Sequence, residues 1–121
     1  MPDTATHIPG PVYLIGFMGS GKTTLGRALA AANPALRYVD LDEEVERRAG
    51  MSVREIFARH GERRFRQLES EALRDFASER NLIVGCGGGT PCQPGNMGFM
   101  NARGLTVLLR ASDEALLRRL T

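Results

Sequence analysis

Short apolar runs alternate along this chain with longer stretches in which apolar residues recur every three or four positions. The short runs predict four buried strands, at residues 11–15, 37–41, 81–85 and 105–110. The periodic stretches predict helices at residues 22–32, 43–49, 53–59 and 62–79, and a further helix that begins with Ser112 as its N-cap. Strands that alternate with helices are typical of a parallel α/β sheet with right-handed crossovers.

The longest predicted helix, at residues 62–79, has one apolar face. The residues expected to face the core share helical spacing: Phe65, Leu68, Ala72, Leu73, Phe76 and Ala77. The first helix should stop at Asn33-Pro34, because proline disfavours helical geometry in the residue before it. Ligands of parallel sheets bind at the carboxyl ends of the strands, so function is expected in the loops that follow them.

Size and composition narrow the class of protein. The chain has 121 residues, enough for one domain; we assign residues 12–121 to that domain and residues 1–11 to a flexible tail. A net charge of +2 without a block of like charges gives no indication of nucleic acid binding. No apolar run of about 18 residues and no secretory signal is visible, so we expect a cytoplasmic protein without a membrane span. Cys86 and Cys92 are expected to be reduced, inert thiols.

A glycine-rich segment follows the first predicted strand and opens the first predicted helix. Residues 16–23, Gly-Phe-Met-Gly-Ser-Gly-Lys-Thr, match the phosphate-loop pattern G-x-x-x-x-G-K-[ST] at every fixed position. Glycines allow the backbone to approach phosphate oxygens, which exposed N–H groups and the positive end of the helix then bind. Lys22 would reach the β- and γ-phosphates, and the Thr23 hydroxyl would ligate Mg²⁺. The loop indicates nucleotide binding, but ATPases, GTPases and several kinases share it.

Asp40 and Asp42 flank Leu41 at the predicted end of the second strand. Alternation along an extended segment would point both carboxylates to one side, where they could hold Mg²⁺ through water or accept hydrogen bonds from a hydroxylated substrate. They would equally suit the first turn of the next helix, where acidic residues interact favourably with the helix dipole. The residues alone leave both interpretations open.

Two further features lie downstream of these aspartates. Arg66 and Glu69, three residues apart on the longest predicted helix, are either a solvated ion pair or a cleft arginine that could fork onto a substrate carboxylate. Three consecutive glycines at 87–89 directly follow the third strand and form either a plain turn or a loop that touches a ligand. Neither feature decides between its two interpretations by itself.

Taken together and in this order, the motifs resemble the shikimate kinase family from about Val12 to the chain end. The segments that carry the resemblance are the phosphate loop, Asp40 with Asp42, Gly61-Glu62, Phe65-Arg66 with Glu69, and Gly-Gly-Gly-Thr at 87–90. The stretch from Pro91-Cys92 through Asn96-Met97 to Asn101 is similar to a bacterial branch of the family. The resemblance implies a three-layer α/β/α P-loop NTPase fold. It also implies a monomer that transfers the ATP γ-phosphate to the 3-hydroxyl of shikimate, with Mg²⁺ as cofactor, in the route to chorismate and the aromatic amino acids.

Carried over position by position, the resemblance implies a role for each matching residue. The ATP phosphates would be contacted by Gly19, Ser20, Gly21, Lys22, Thr23 and Thr24. Thr23 would ligate Mg²⁺, and Asp40 would lie just outside the metal's direct ligands. Asp42 would hydrogen-bond the shikimate hydroxyls and orient the attacking one or accept its proton, which makes Lys22 and Asp42 the catalytic candidates. Substrate binding would also involve Arg66, held by Glu69 against the shikimate carboxylate, and the backbone of Gly88.

Family members continue beyond the position of Thr121 with a mobile lid, its arginine, and a last strand and helix. We therefore expect this chain to stop before the lid, to bind phosphate weakly and to turn over poorly or not at all. One alternative is a truncated phosphate-loop module that binds nucleotide without catalysis. Another is a related kinase of gluconate or a nucleoside monophosphate, which the Asp-x-Asp, Arg66 and triple-glycine combination disfavours.

Overall fold

The computed structural model describes residues 10–16, 21–87 and 89–109. The elements in chain order are β1 (Val12–Gly16), α1 (Lys22–Ala32), β2 (Arg37–Asp40), α2 (Leu41–Ala49), α3 (Val53–Asp75), β3 (Leu82–Gly85), a 3-10 helix (Thr90–Cys92), α4 (Asn96–Arg103) and β4 (Leu105–Leu109). The helix predicted to begin with Ser112 lies outside the described residues. Of the predicted tail, the structure describes Gly10 and Pro11, and both are buried.

The four strands form one parallel sheet in the order β2-β3-β1-β4. Tyr13 of β1 lies opposite Val84 of β3 on one side and Thr106 of β4 on the other. Val39 of β2 lies opposite Val84 as well, which places β3 between β2 and β1. The predicted parallel α/β sheet is confirmed. Because the strands run in one direction, the loops after β1, β2 and β3 meet at one edge, called here the carboxyl edge.

The hydrophobic core combines side chains from the two central strands with those of α2, α3 and α4. Its buried members are Tyr13, Ile15, Leu41, Val45, Ile56, Phe65, Ala72, Leu73, Leu82, Val84, Cys86 and Met100. Strands β1 and β3 are apolar almost throughout, as strands covered on both faces must be. Of the predicted core face of α3, Phe65, Ala72 and Leu73 are buried, and Leu68 and Phe76 pack against them.

Helix α3 consists of two helical segments separated by the non-helical Gly61, in agreement with the two helices predicted on either side of it. At Gly61 the backbone has φ 82° and ψ 167°, a conformation that essentially only glycine adopts. The helix axis therefore turns at that residue, between the two predicted segments. The predicted end at residue 79 was too late, because α3 ends at Asp75 and the chain continues as a turn.

Helix α4 was not predicted. It begins after Gly95, whose φ is 81°, and contains Gly98, so its intrinsic helix propensity is low. Burial of Asn96 and Met100 attaches it to the rest of the chain. Within the described ranges, no helix is long and apolar enough to cross a membrane.

Candidate functional site at the carboxyl edge

The two described ends of the phosphate loop lie at the carboxyl edge of β1. Gly21, with φ 93°, is the N-cap of α1 and provides no side-chain cap, as is typical of a helix start that binds an anion. The Lys22 Nζ donates a hydrogen bond to the Gly16 carbonyl oxygen at 2.8 Å, so the ammonium group spans both ends of the loop. Thr23 and Thr24 follow in the first turn of α1 and are exposed. Gly19 and Ser20 lie outside the described residues.

The position of α1 depends on Tyr38 of β2. The Tyr38 side chain packs against Gly26 of α1 and Gly85 of β3, and a Cβ atom at either glycine would overlap it. Burial raises the pKa of the Tyr38 phenol, and the nearby Thr23 hydroxyl opposes that shift. The close packing at these two glycines thus holds the start of α1 beside the ends of β2 and β3.

The backbone conformation at Asp40 and Asp42 differs from the predicted one. Helix α2 begins at Leu41, so Asp42 lies in a helical first turn, and the prediction of an extended Asp-Leu-Asp segment is wrong. The reason is capping: the Asp40 Oδ1 accepts a hydrogen bond from the Glu43 backbone N–H at 3.1 Å. The alternative interpretation, acidic residues at a helix start, therefore describes the backbone correctly.

Asp42 nevertheless faces the centre of the carboxyl edge. Its side chain is half-buried, and burial, followed by the negative charges of Asp40 and Glu69, raises its pKa, while Arg66 opposes the shift. A Cβ atom at Gly87 would lie 3.7 Å from the Asp42 Oδ1, so this carboxylate borders the glycine loop after β3. A carboxylate with a raised pKa is typical of a group that accepts a proton.

The thiol of Cys86 reports which charged groups converge at the end of β3. Burial, and then the charge of Glu69, raises its pKa to about 12, with smaller contributions from Asp40 and Asp42 and an opposing one from Lys22. The thiol is therefore protonated at neutral pH and unreactive, as was predicted for Cys86, whereas Cys92 is exposed. Charged groups of the phosphate loop, of α2 and of α3 thus all lie near enough to this thiol to influence its pKa.

Arg66 is not a solvated partner of Glu69. The Arg66 Nη1 donates to the Glu69 Oε1 at 3.1 Å, and the exposed fraction of the Glu69 side chain is 1%, against 23% for that of Arg66. The guanidinium also lies over the ring of Phe65, 5.1 Å from its centroid. The Arg66 Nε also donates to Glu62 at 3.4 Å, so Glu69, Phe65 and Glu62 together hold the guanidinium, while the side chain stays partly exposed. A partly exposed guanidinium held in this way could bind a carboxylate.

The glycine loop packs directly against this arginine. A Cβ atom at Gly89 would lie 2.5 Å from the Arg66 Nη2 and 2.9 Å from its Nη1. The φ of Gly89 is −88°, so glycine is required there for space and not for conformation. Gly88, the predicted backbone contact of the substrate, lies outside the described residues.

Sequence reasoning missed two buried polar residues beside this loop. The Thr90 Oγ1 donates to the Glu69 Oε2 at 2.7 Å, and the Asn96 Nδ2 donates to the Thr90 carbonyl at 3.0 Å. Thr90 stood inside the glycine motif, but no sequence pattern indicated that its hydroxyl would meet a carboxylate on α3. Both contacts depend on the tertiary fold.

The oxygen donors at the carboxyl edge suit a hard cation that keeps phosphate and water as ligands. In the part of the chain that the structure describes, no three His, Cys, Asp or Glu side chains are grouped to hold a metal by themselves. The exposed Thr23 hydroxyl and the Asp40 carboxylate at the end of β2 offer one ligand and one nearby acceptor. Mg²⁺ in phosphate-transfer sites is usually bound in this manner, through few protein oxygens together with substrate phosphates.

Comparison with known proteins identifies a family. The model of the family "Shikimate kinase" matches residues 18–121. The chain is 45% identical over 109 residues to the shikimate kinase of Parabacteroides distasonis, covering 90% of this chain and 62% of that protein. It is 46% identical over 109 residues to that of Geobacter sulfurreducens, covering 90% and 60%. The chain thus spans about three fifths of the length of these relatives.

Solved structures agree with the sequence comparison. The crystal structure of the shikimate kinase from Bacteroides thetaiotaomicron is similar to this chain with a TM-score of 0.79 and 41% identity, over 86% of this chain and 58% of that one. The shikimate kinase from Acinetobacter baumannii in complex with shikimate has a TM-score of 0.80 and 36% identity, over 97% and 65%. This likeness confirms the predicted P-loop α/β fold.

Proposed function

This chain belongs to the shikimate kinase family. We propose that the protein transfers the γ-phosphoryl group of ATP to the 3-hydroxyl of shikimate. The observation that carries the proposal is the placement of Arg66 next to Asp42 and the glycine loop, at the edge where the phosphate loop also ends. Phosphorylation of a hydroxylated acid needs a site for the acid group, a group that orients the hydroxyl, and a phosphate site. The carboxyl edge carries candidates for all of them.

ATP would be bound at the start of α1. The residues proposed to contact its phosphates are Gly19, Ser20, Gly21, Lys22, Thr23 and Thr24. Lys22 would stabilise the negative charge on the transferred group, because its ammonium already spans the two ends of the loop. When bound, Mg²⁺ would neutralise phosphate charge, with Thr23 as a ligand and Asp40 just outside the direct ligands.

Shikimate would be bound between α2, α3 and the glycine loop. Arg66 would bind its carboxylate through the exposed part of the guanidinium, and Gly88 would contact it through the backbone. Asp42 would hydrogen-bond the attacking hydroxyl and orient it or accept its proton, a role that a raised pKa favours. Catalysis would then depend mainly on positioning and charge, as phosphoryl transfer generally does.

An acceptor comparison tests this function. The full product of the gene that encodes this chain is supplied with Mg²⁺ and ATP, and ADP release is coupled to a recorded absorbance change. We expect ADP release to depend on shikimate and not on gluconate or a nucleoside monophosphate. Release with either of those acceptors in place of shikimate would contradict the proposal. Nucleotide binding without acceptor-dependent release would support the non-catalytic module instead.

We also propose that the protein is a cytoplasmic monomer. Light scattering of the purified full product would test its oligomeric state, and a stable dimer would contradict that part.

A further inference from the structure

Three polar or charged residues are completely buried in the described part of the chain: Glu69, Thr90 and Asn96. They lie far apart in sequence, on α3, in the 3-10 helix and at the start of α4. Nevertheless, hydrogen bonds join all three into one network. Buried polar groups destabilise a fold unless each is paired, and a paired network makes the segments that it joins more rigid.

One end of the network is the carboxylate that holds Arg66. The Glu69 Oε2 accepts from the Thr90 hydroxyl at 2.7 Å, and its Oε1 accepts from the Arg66 Nη1 at 3.1 Å. A buried carboxylate needs several donors. The Arg66 Nη1 also donates to the Glu69 Oε2 at 3.4 Å, so the Thr90 hydroxyl and the guanidinium share that oxygen. The Thr90 hydroxyl therefore helps to fix the carboxylate to which Arg66 is bonded.

The other end of the network holds the glycine loop. The Thr90 N–H donates to the Gly87 carbonyl at 3.1 Å, and the Thr90 carbonyl accepts from the Asn96 Nδ2 at 3.0 Å. The Asn96 Oδ1 in turn accepts from the Arg74 Nη1 at 3.0 Å and the Ser70 hydroxyl at 3.3 Å, both on α3. Thr90 is therefore the residue at which the glycine loop is attached to the helix that carries Arg66.

We propose that Thr90 is a positioning residue for the acceptor substrate. Its hydroxyl sets the orientation of the Arg66 guanidinium through Glu69, and its backbone sets the distance between that guanidinium and the glycine loop. The described hydrogen bonds of this network join Arg66 and α3 to the glycine loop and α4, so we expect its influence to fall mainly on the acceptor. The identity of the acceptor rests on the proposed function, whereas the network itself does not.

The test replaces the hydroxyl in the full gene product and separates the two substrates. Thr90→Val keeps the branched shape without the hydroxyl, and Thr90→Ala removes both. Thr90→Ser keeps the hydroxyl. The matched control is Thr106→Val on β4, because the buried hydroxyl oxygen of Thr106 has no hydrogen-bond partner among the described residues. The KM for shikimate, the KM for ATP, kcat and the thermal unfolding midpoint are measured for each variant.

We expect Thr90→Val and Thr90→Ala to raise the KM for shikimate by about tenfold, the size of effect that a lost hydrogen bond to a charged group produces. Their KM for ATP should stay within about twofold of that of the unaltered enzyme. Thr90→Ser should restore the KM for shikimate to within about threefold, and Thr106→Val should change neither constant.

Several outcomes would overturn the inference. They are an unchanged KM for shikimate in Thr90→Val, an equal rise in both KM values, or a Thr90→Ser variant as impaired as Thr90→Val. Failure of the two variants without a hydroxyl to fold would also overturn it, because the hydroxyl would then act on stability alone. An unaltered enzyme without shikimate-dependent ADP release would instead refute the proposed function, which is a separate result.

Discussion

At the scale of single residues, the space around Arg66 is set by the absence of a side chain at Gly89. Because φ at Gly89 is −88°, alanine would be tolerated by the backbone, and its only cost would be the collision of its Cβ with the guanidinium. The end of a flexible side chain can move aside, but this guanidinium is bonded to the buried Glu69 carboxylate, which would then lose a donor. The expected damage is therefore to substrate binding and also to stability.

We predict that Gly89→Ala raises the KM for shikimate by about tenfold or more, since a displaced guanidinium loses its bidentate geometry. The free energy of unfolding, measured with urea, should fall by about 1–3 kcal/mol, because the displaced guanidinium weakens its bond to the buried Glu69 carboxylate. The control is Gly98→Ala in α4, where a Cβ would meet no atom of the described residues within 4 Å. Equal kinetic effects of the two substitutions would contradict this account of Gly89.

Asp42 makes the stability of the folded chain depend on pH. Its pKa is raised in the folded chain by burial and by the neighbouring carboxylates, so the folded state binds more protons than the unfolded state between the two pKa values. Stability from this group therefore falls as pH rises from the ordinary aspartate value of 3.8 through the higher folded value. At neutral pH the ionised Asp42 is a net destabilising residue.

Asp42→Asn should accordingly be more stable than the unaltered protein at pH 7, with the difference shrinking as pH falls toward 3.8. Its kcat should drop on the order of 10²-fold or more if the carboxylate serves the attacking hydroxyl. Urea unfolding from about pH 3.5 to 7 measures the first effect, and steady-state rates measure the second. Glu71→Gln, at an exposed position of α3, is the control and should alter neither. An Asp42→Asn variant that is less stable than the unaltered protein at pH 7 would show that ionised Asp42 does not destabilise the fold.

At the scale of elements, the turn in α3 at Gly61 helps to determine where Arg66 lies at the carboxyl edge. Gly61 separates the segment that carries Phe57 from the segment that carries Phe65 and Arg66. Across the turn the two rings pack with centroids 5.0 Å apart, and Phe65 in turn lies under the Arg66 guanidinium. The angle between the two segments therefore helps to place the arginine.

Gly61→Ala should cost about 1–3 kcal/mol of unfolding free energy, because φ 82° with ψ 167° is accessible to glycine and strained for other residues. The contrast is again Gly98→Ala, which lies within a regular helix and should stabilise by up to about 1 kcal/mol. Urea titrations measure the free energy of unfolding of both variants. If Gly61→Ala left that free energy unchanged, the turn would not be strained for alanine.

The elements that the sequence predicted are those with a strong local signal. β1, α1 and β3 combine apolar runs or periodicity with glycine or proline boundaries, and their limits were predicted to within about a residue. Leu41 was misassigned to β2, since a buried leucine suits a strand end and a helix start equally and only the Asp40 cap distinguishes them. Helix α4 was missed because two glycines weaken its local pattern, and tertiary packing determines its conformation.

The sequence predicted the motif residues of the candidate site. It did not predict the buried residues that hold them in place. The phosphate loop, Asp42 and Arg66 stood out by residue type and spacing. Whether Arg66 was solvated or held in place depended on the burial of Glu69, which no local pattern encodes. Thr90 and Asn96 contact α3 across more than twenty residues of sequence, so only the fold brings them to the site.

At the scale of the whole molecule, the proposed function divides one sheet edge into two binding regions that share no described side chain. The start of α1 would receive ATP, and α2, α3 and the glycine loop would receive shikimate. Ligands that bind only the folded state stabilise it by mass action, by about 2.7 kcal/mol at a ligand concentration of 100 times Kd. Stabilisation by each ligand can therefore be removed separately.

We predict that Arg66→Met abolishes the rise in unfolding temperature that shikimate produces while leaving most of the rise produced by Mg²⁺ and ATP. Lys22→Met should do the reverse, because its ammonium lies on the phosphate loop. Thermal unfolding of the full gene product with each ligand alone measures both effects. Arg64→Met is the control, since Arg64 is exposed on the same helix and bonds only Gln67 among its described hydrogen-bond partners. If Arg66→Met kept the full response to shikimate, the carboxylate of the acceptor would have to be bound elsewhere, and the division of the carboxyl edge into two regions would fail.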